Sequence, residues 1–278
     1  MPERCWISIV MPALNEAANV RDAITDTLRA IDDYQLDGEI IVVDDGSSDG
    51  TGEVVSEIMK TEPRVRKIRH EQPKGIGFAF WHGVNHAHGE IVCMIPGDNE
   101  NDPWETLRYW KLLEHVDIVI PFVFNRQVRS AFRNLLSAVY RVIINTTFRV
   151  NFNYTNGTVL YRRSILKELD FHSRGFFYQT DILIRTVKKG YLFAEVPYQL
   201  NARPKGKSKA VSYPSLVKVV RGYLRLFRDF YYKRNIAEAD EFAPDSQTAV
   251  RRGGDAAPDG KPADETAPAA ENSPCRRN

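Results

Sequence analysis

The chain has 278 residues, 43% of them apolar, and a formal net charge of only +2. That length suits one large domain or two small ones, with apolar residues enough for a full core. So balanced a charge excludes a chain built as a whole for nucleic acid, and no stretch reaches the roughly 18 apolar residues of a transmembrane helix. The three cysteines, Cys5, Cys93 and Cys275, are too scattered for a metal spacing or a disulfide framework. They suit a reducing, cytoplasmic setting. No signal peptide is expected, because Asn15 and Glu16 follow only a short apolar run.

Residues 5–11 read as a first strand, ended by Pro12. A helix follows over residues 15–31, with Val20, Ile24, Leu28 and Ile31 on one face. Residues 39–43 read as a second strand. Its Ile40-Ile41-Val42-Val43 run suits burial on both faces of a parallel sheet. Asp44 and Asp45 then stand at its carboxyl end, where open α/β sheets present their ligands. Residues 47–51 read as a turn and N-cap leading into a helix over 52–60. A shorter strand at 65–69 precedes Gly75 and Gly77, which open a helix to about residue 88. Residues 91–95 are an apolar strand ending at Pro96-Gly97-Asp98. Pro103 starts a further helix, and residues 116–121 form a fifth strand. Strands alternating with helices indicate an α/β fold with a parallel sheet.

The pattern then changes. Phe132, Leu135, Leu136, Val139, Tyr140, Ile143 and Ile144 recur at three and four, which predicts an amphipathic helix over 129–148. Residues 158–161 and 191–196 read as later strands. A second amphipathic helix, 214–234, sets Lys218, Arg221, Arg225 and Arg228 beside Leu216, Val220, Leu224 and Phe227. No acid interrupts residues 118–167 or 196–228, so these stretches form a surface suited to phosphates or anionic lipid. An apolar face with a basic edge fits a helix lying in a membrane interface. A core or dimer helix carries the same pattern, and both readings stay open. His82, His86 and His88 read as members of a plain surface helix. From residue 236 the composition turns to Ala, Pro, Gly and acids. Residues 236–278 are therefore expected to be a disordered tail behind a catalytic domain of residues 1–235.

Three strand ends carry the chemistry: Pro12 to Glu16, Asp44 to Ser47, and Pro96 to Glu100. In one parallel sheet they converge on a single rim. Lys74-Gly75-Ile76-Gly77 adds glycines that let backbone approach a ligand closely. Carboxylates with such a loop suit a divalent cation and a diphosphate, since hard cations take oxygen ligands and bridge phosphates.

With SIVMPALNEAANV, IIVVDDGSSDGT, the KGIG-to-NDP stretch, RNLLS and KKGYLFAEVPYQLNARPKGKSK, the chain resembles the family 2 glycosyltransferases of the GT-A fold. In layout it is similar to polyprenyl-phosphate sugar synthases of the dolichyl-phosphate mannose synthase type. The resemblance spans about residues 6–209. It implies an α/β, Rossmann-like, mostly parallel sheet flanked by helices, with amphipathic interface helices behind it. It implies that Pro12, Asn15, Glu16, Asp44 and Asp45 hold the nucleoside, with Lys74 and Gly75 also on the donor. It further implies that Asp98 holds Mg2+ or Mn2+ and the diphosphate, and that Arg203, Ser208 and Lys209 grip phosphates.

Two departures matter. Pro96 stands where such enzymes usually carry the first carboxylate of Asp-x-Asp, and Glu100 follows where Gln is usual. Asp98 and Glu100 are expected to share the metal. Gln179-Thr180-Asp181 replaces a pair of acids, so Asp181 is either a catalytic base or an orienting group. An acceptor phosphate, already anionic, needs positioning more than deprotonation. Arg126 and Arg133 suit that phosphate.

The expected reaction is inverting transfer of a sugar from a nucleotide diphosphate sugar, UDP- or GDP-linked, to a polyprenyl monophosphate. The enzyme would lie peripherally on the cytoplasmic face of the membrane, as a monomer or a homo-oligomer. The alternatives are a family 2 transferase acting on a hydroxyl of a polysaccharide or glycolipid, and a silent sugar-nucleotide-binding protein.

Overall fold

A computed structural model describes residues 6–125, 127, 131–169, 175–200, 213–233, 239 and 241–255. Seven strands form one sheet in the order β3-β2-β1-β4-β6-β5-β7. They are β1 (Trp6–Ala13), β2 (Asp37–Asp44), β3 (Val65–Arg69), β4 (Ile91–Met94), β5 (Ile118–Val123), β6 (Leu160–Arg162) and β7 (Phe193–Tyr198). Only β6 runs antiparallel to its neighbours β4 and β5. The fold is thus α/β and mostly parallel, as the alternating pattern predicts.

Both faces of the sheet are covered. Ile7, Ile9, Ile40 and Val42 of β1 and β2 point to one face and pack with α1 (Val20–Asp33) and α4 (Pro103–Leu107). Val10, Ile41 and Val43 point to the other face, where α3 (Ile76–His86), α5 (Ala131–Phe148) and α7 (Tyr178–Lys189) add Phe80, Phe148 and Leu183. Two-sided burial explains why these strands read as unbroken apolar runs. Between β2 and β3 lies α2 (Thr51–Met59), and α6 (Arg163–Lys167) follows β6.

The first helix begins at Val20, five residues later than its periodicity suggests. The intervening loop is instead laced to the turn after β2. The amide of Asn15 donates to Ser47 Oγ (3.0 Å), and the amide of Ser48 donates to Asn15 Oδ1 (2.9 Å). The amide of Glu16 donates to Thr51 Oγ1 at 2.9 Å. Asn15 adopts φ +56° to make this turn, a conformation Asn tolerates better than most residues.

The second amphipathic helix is α8 (Tyr213–Arg228), which continues as a π-helical turn, Asp229–Lys233. It serves two surfaces at once. Leu226 is buried, and Val219, Tyr223, Phe227 and Phe230 pack on the core. Leu216, Val220 and Leu224, spaced four apart, point outward and are about half exposed. On α5, Phe132, Leu135, Val139 and Val142 are likewise exposed, while Ile144 and Phe148 face inward. Among the described residues no helix is long and apolar enough to cross a membrane.

The tail corrects its expectation. Residues 241–255 pack on the domain and include α9 (Gln247–Asp255). Asp117, fully buried just before β5, accepts the amides of Gln247 (2.6 Å) and Thr248 (3.2 Å) and the Thr248 hydroxyl. Those amides are the unsatisfied donors of a helix start, so Asp117 caps α9 from across the fold. Phe242 meets Tyr191 edge to face, with ring centroids 5.2 Å apart. Average composition misses these anchors because a few side chains carry the docking. Residues 256–278 lie outside the described residues.

Candidate active site

Register places the three chemical strand ends side by side. Ala13 of β1 pairs with Asp44 of β2, and Val10 of β1 pairs with Met94 of β4. Their carboxyl ends open on one rim, as at the ligand crevice of open α/β sheets.

Asp44 is fully buried. Its Oδ1 accepts the amide of Ser47 at 2.9 Å, while its Oδ2 has no hydrogen-bond partner and lies 3.7 Å from Arg69 Nε. A buried carboxylate oxygen without a hydrogen bond is costly, and the Arg69 guanidinium offsets part of that cost. Asp45 behaves differently. Its carboxylate accepts the amides of Lys74 and Gly75, each at 2.8 Å, and meets His70 Nδ1 at 2.7 Å. Asp45 thus builds the site by fastening the loop that leads into α3. Gly75 sits at φ +97°, where a side chain would be strained. Lys74 Nζ lies over the Phe78 ring, 4.8 Å from its centroid.

His70 is a residue that sequence reasoning passed over, although its place directly after β3 puts it on this rim. Its Nε2 lies 2.8 Å from His82 Nδ1, and the two rings stack at 11°. His82 is therefore no plain surface residue. Burial, with His86 and His70 beside it, holds its pKa below the usual imidazole value.

At the end of β4, the amide of Gly97 donates to the Pro12 carbonyl at 3.0 Å, which seats the Pro96-Gly97-Asp98 turn beside β1. Asp98 is half-buried and accepts the amide of Glu100 at 3.1 Å, with Asn99 at φ +55° between them. Among the described residues, no three His, Cys, Asp or Glu side chains are grouped to hold a metal. One or two carboxylates completed by phosphate oxygens is nonetheless the usual way Mg2+ is held, so the donor set at Asp98 fits a metal–diphosphate complex rather than a bare ion.

On the far side of the rim, Asp181 lies inside α7 and is almost fully buried. Arg185 Nε donates to Asp181 Oδ1 at 2.8 Å, and Arg185 Nη2 donates to Asp229 Oδ2 at 2.8 Å. Burial pushes the Asp181 carboxyl up to about 6 and Asp229 adds to this, against the pull of Arg185. Neighbouring Gln179 Nε2 donates to the Gly157 carbonyl (2.9 Å), and the Thr180 hydroxyl donates to Thr155 Oγ1 (3.0 Å). This stretch ties α7 to the loop before β6. Arg133 stands exposed on α5. Arg126, Arg203, Ser208 and Lys209 lie outside the described residues.

The model of the family described as "Glycosyl transferase family 2" matches residues 8–170, more than half of the chain. The chain belongs to glycosyl transferase family 2. Among curated members, an undecaprenyl-phosphate 4-deoxy-4-formamido-L-arabinose transferase of Edwardsiella ictaluri is 28% identical over 207 residues, 73% of this chain and 62% of that protein. A dolichyl-phosphate beta-glucosyltransferase of Trichomonas vaginalis is 31% identical over 102 residues, 35% of this chain and 30% of that protein. The chain thus spans less than two thirds of each relative. Glucosyl-3-phosphoglycerate synthase from Mycobacterium tuberculosis, solved with UDP, shares the fold at TM-score 0.61 and 23% identity, covering 80% of this chain and 79% of that one. The same synthase has been solved with Mn2+, UDP and glucosyl-3-phosphoglycerate, and with Mg2+ and UDP. The family 2 likeness and the GT-A architecture therefore stand together.

Proposed function

We propose that this family 2 member transfers a sugar from a nucleotide diphosphate sugar to a polyprenyl monophosphate, with inversion at the anomeric carbon. The curated relatives named for polyprenyl-phosphate sugar transfer support the acceptor class. The observation that carries it is Asp181. A hydroxyl acceptor needs a base at the reacting oxygen. Asp181 is instead enclosed in α7 and held by Arg185, so it orients its surroundings.

In this reading, Asp44 accepts an N–H of the donor base, and the Asn15–Ser48 bond fixes the turn beyond it. Asp45 and His70 hold the Lys74–Gly75 loop beside the diphosphate. Asp98, with Glu100 next to it, would hold Mg2+ or Mn2+, which supplies charge to balance the departing diphosphate. An acceptor phosphate oxygen forms the new bond to the anomeric carbon. The old carbon–oxygen bond breaks with its electron pair leaving on the nucleoside diphosphate, and no proton need be removed. Arg133 offers a cation to the acceptor phosphate. The exposed apolar residues of α5 and α8, edged by Arg221, Arg225 and Arg228, suit docking on the cytoplasmic face of a membrane.

The discriminating experiment is Asp181→Asn, assayed with a polyprenyl phosphate. Turnover within about threefold of the parent supports a positioning role, since proton transfer by a base contributes about 100-fold or more. A loss of that larger size, with donor binding intact, would make Asp181 a base and remove the argument from its positioning role.

A further inference from the structure

A recess of about 360 Å³ opens between α5 and the loop before β6. Arg141 stands on its wall. A narrower pocket that Arg141 also lines reaches Ser137 and Val123, at the end of β5. Arg141 is half-buried, and its guanidinium makes no hydrogen bond or ion pair with any described residue. A partly desolvated cation without a partner favours an anion beside it.

The wall is preformed. Asn145 Oδ1 accepts the amide of Phe152 (3.1 Å), and its Nδ2 donates to the Phe152 carbonyl (2.9 Å). The carboxylate tied to this wall, Glu195, already accepts the amide of Asn153 (2.6 Å) and its Nδ2 (2.9 Å). Ser137, Thr146 and Asn151 line the space with uncommitted polar groups. Next to Arg141, Val142 and Ile143 are 58% and 46% exposed. A planar guanidinium among neutral donors suits a phosphate, and the apolar flank leaves room for a hydrocarbon body.

We infer that the Arg141 recess is a phosphate-binding site, set apart from Arg133. It lies eight residues past Arg133, about 12 Å along α5. It is therefore a second position, and it does not depend on which acceptor the enzyme uses. The phosphate belongs either to a phospholipid head group or to a small soluble ester.

The test compares the full chain with Arg141→Gln and with Arg29→Gln, which removes the same charge from an exposed place on α1, outside the basic surface. Each is titrated with glycerol 3-phosphate and floated with phosphatidylglycerol or phosphatidylcholine vesicles. Arg141→Gln is expected to weaken phosphate binding about tenfold, with Arg29→Gln within twofold of the parent and Arg141→Lys between. A drop with glycerol 3-phosphate supports a soluble ester. A drop confined to phosphatidylglycerol vesicles supports a lipid head group. Arg141→Gln matching Arg29→Gln in both assays would overturn the site.

Discussion

Asp45 and His70 form a buried pair, 2.7 Å from carboxylate oxygen to Nδ1, and that pair fixes the glycine loop at the mouth of α3. The same carboxylate takes the Lys74 and Gly75 amides, so its orientation sets the loop's position. Replacing His70 with Ala removes one hydrogen bond to a charged group, worth about 1.5–3 kcal/mol. We expect a lower Tm and a donor KM raised about tenfold, with kcat less affected. Unchanged donor KM in steady-state kinetics would detach the pair from the donor site.

Asp181 gives the fold a pH signature. Its folded-state pKa is raised from 3.8 to about 6, mainly by burial. The folded state therefore binds a proton that the unfolded state has released, and this group's contribution to stability falls as pH rises from about 4 to about 6. The swing is about 3 kcal/mol. Denaturant melts at pH 4 and pH 7 should show the parent losing stability relative to Asp181→Asn across that window. A constant difference between the two proteins would contradict the assignment.

Metal binding should depend on nucleotide. Asp98 and Glu100 offer too few ligands alone, so Mn2+ titrated by calorimetry should bind weakly without nucleotide and at least tenfold more tightly with UDP or GDP. Glu100→Gln should raise the Mn2+ needed for half-maximal binding. Tight binding of Mn2+ to the free protein would show a ligand set beyond these two carboxylates.

The cap on α9 should be measurable as stability. Asp117→Ala leaves the amides of Gln247 and Thr248 without their acceptor. A cost of about 1–3 kcal/mol is expected in chemical denaturation, with protease cutting appearing between residues 241 and 255. A parent-like unfolding curve would mean that α9 contributes nothing to the domain.

Much of this architecture is legible in the chain. The apolar runs at Ile40–Val43 and Ile91–Ile95 fix buried strands, and the acids that follow them mark the rim. The direction of β6 is not legible, because a three-residue strand carries no mark of parallel or antiparallel pairing. Nor is the late start of α1, since the Asn15–Ser47 and Glu16–Thr51 bonds join residues more than thirty apart. The inward lock on Asp181 is half legible. Arg185 stands four residues on, at helical contact spacing, but Asp229 arrives from another helix. Asp45 reads as a nucleotide ligand, and a carboxylate at a strand end does not reveal that the amides of Lys74 and Gly75 also meet it.

The most direct measurement is transfer itself. Purified protein is given Mn2+ or Mg2+, labelled UDP- and GDP-sugars in turn, and a short polyprenyl phosphate. Label passing into the organic phase with one of the two donors is the predicted result. Donor bound or hydrolysed, with no lipid-soluble product from either, would contradict a polyprenyl phosphate acceptor.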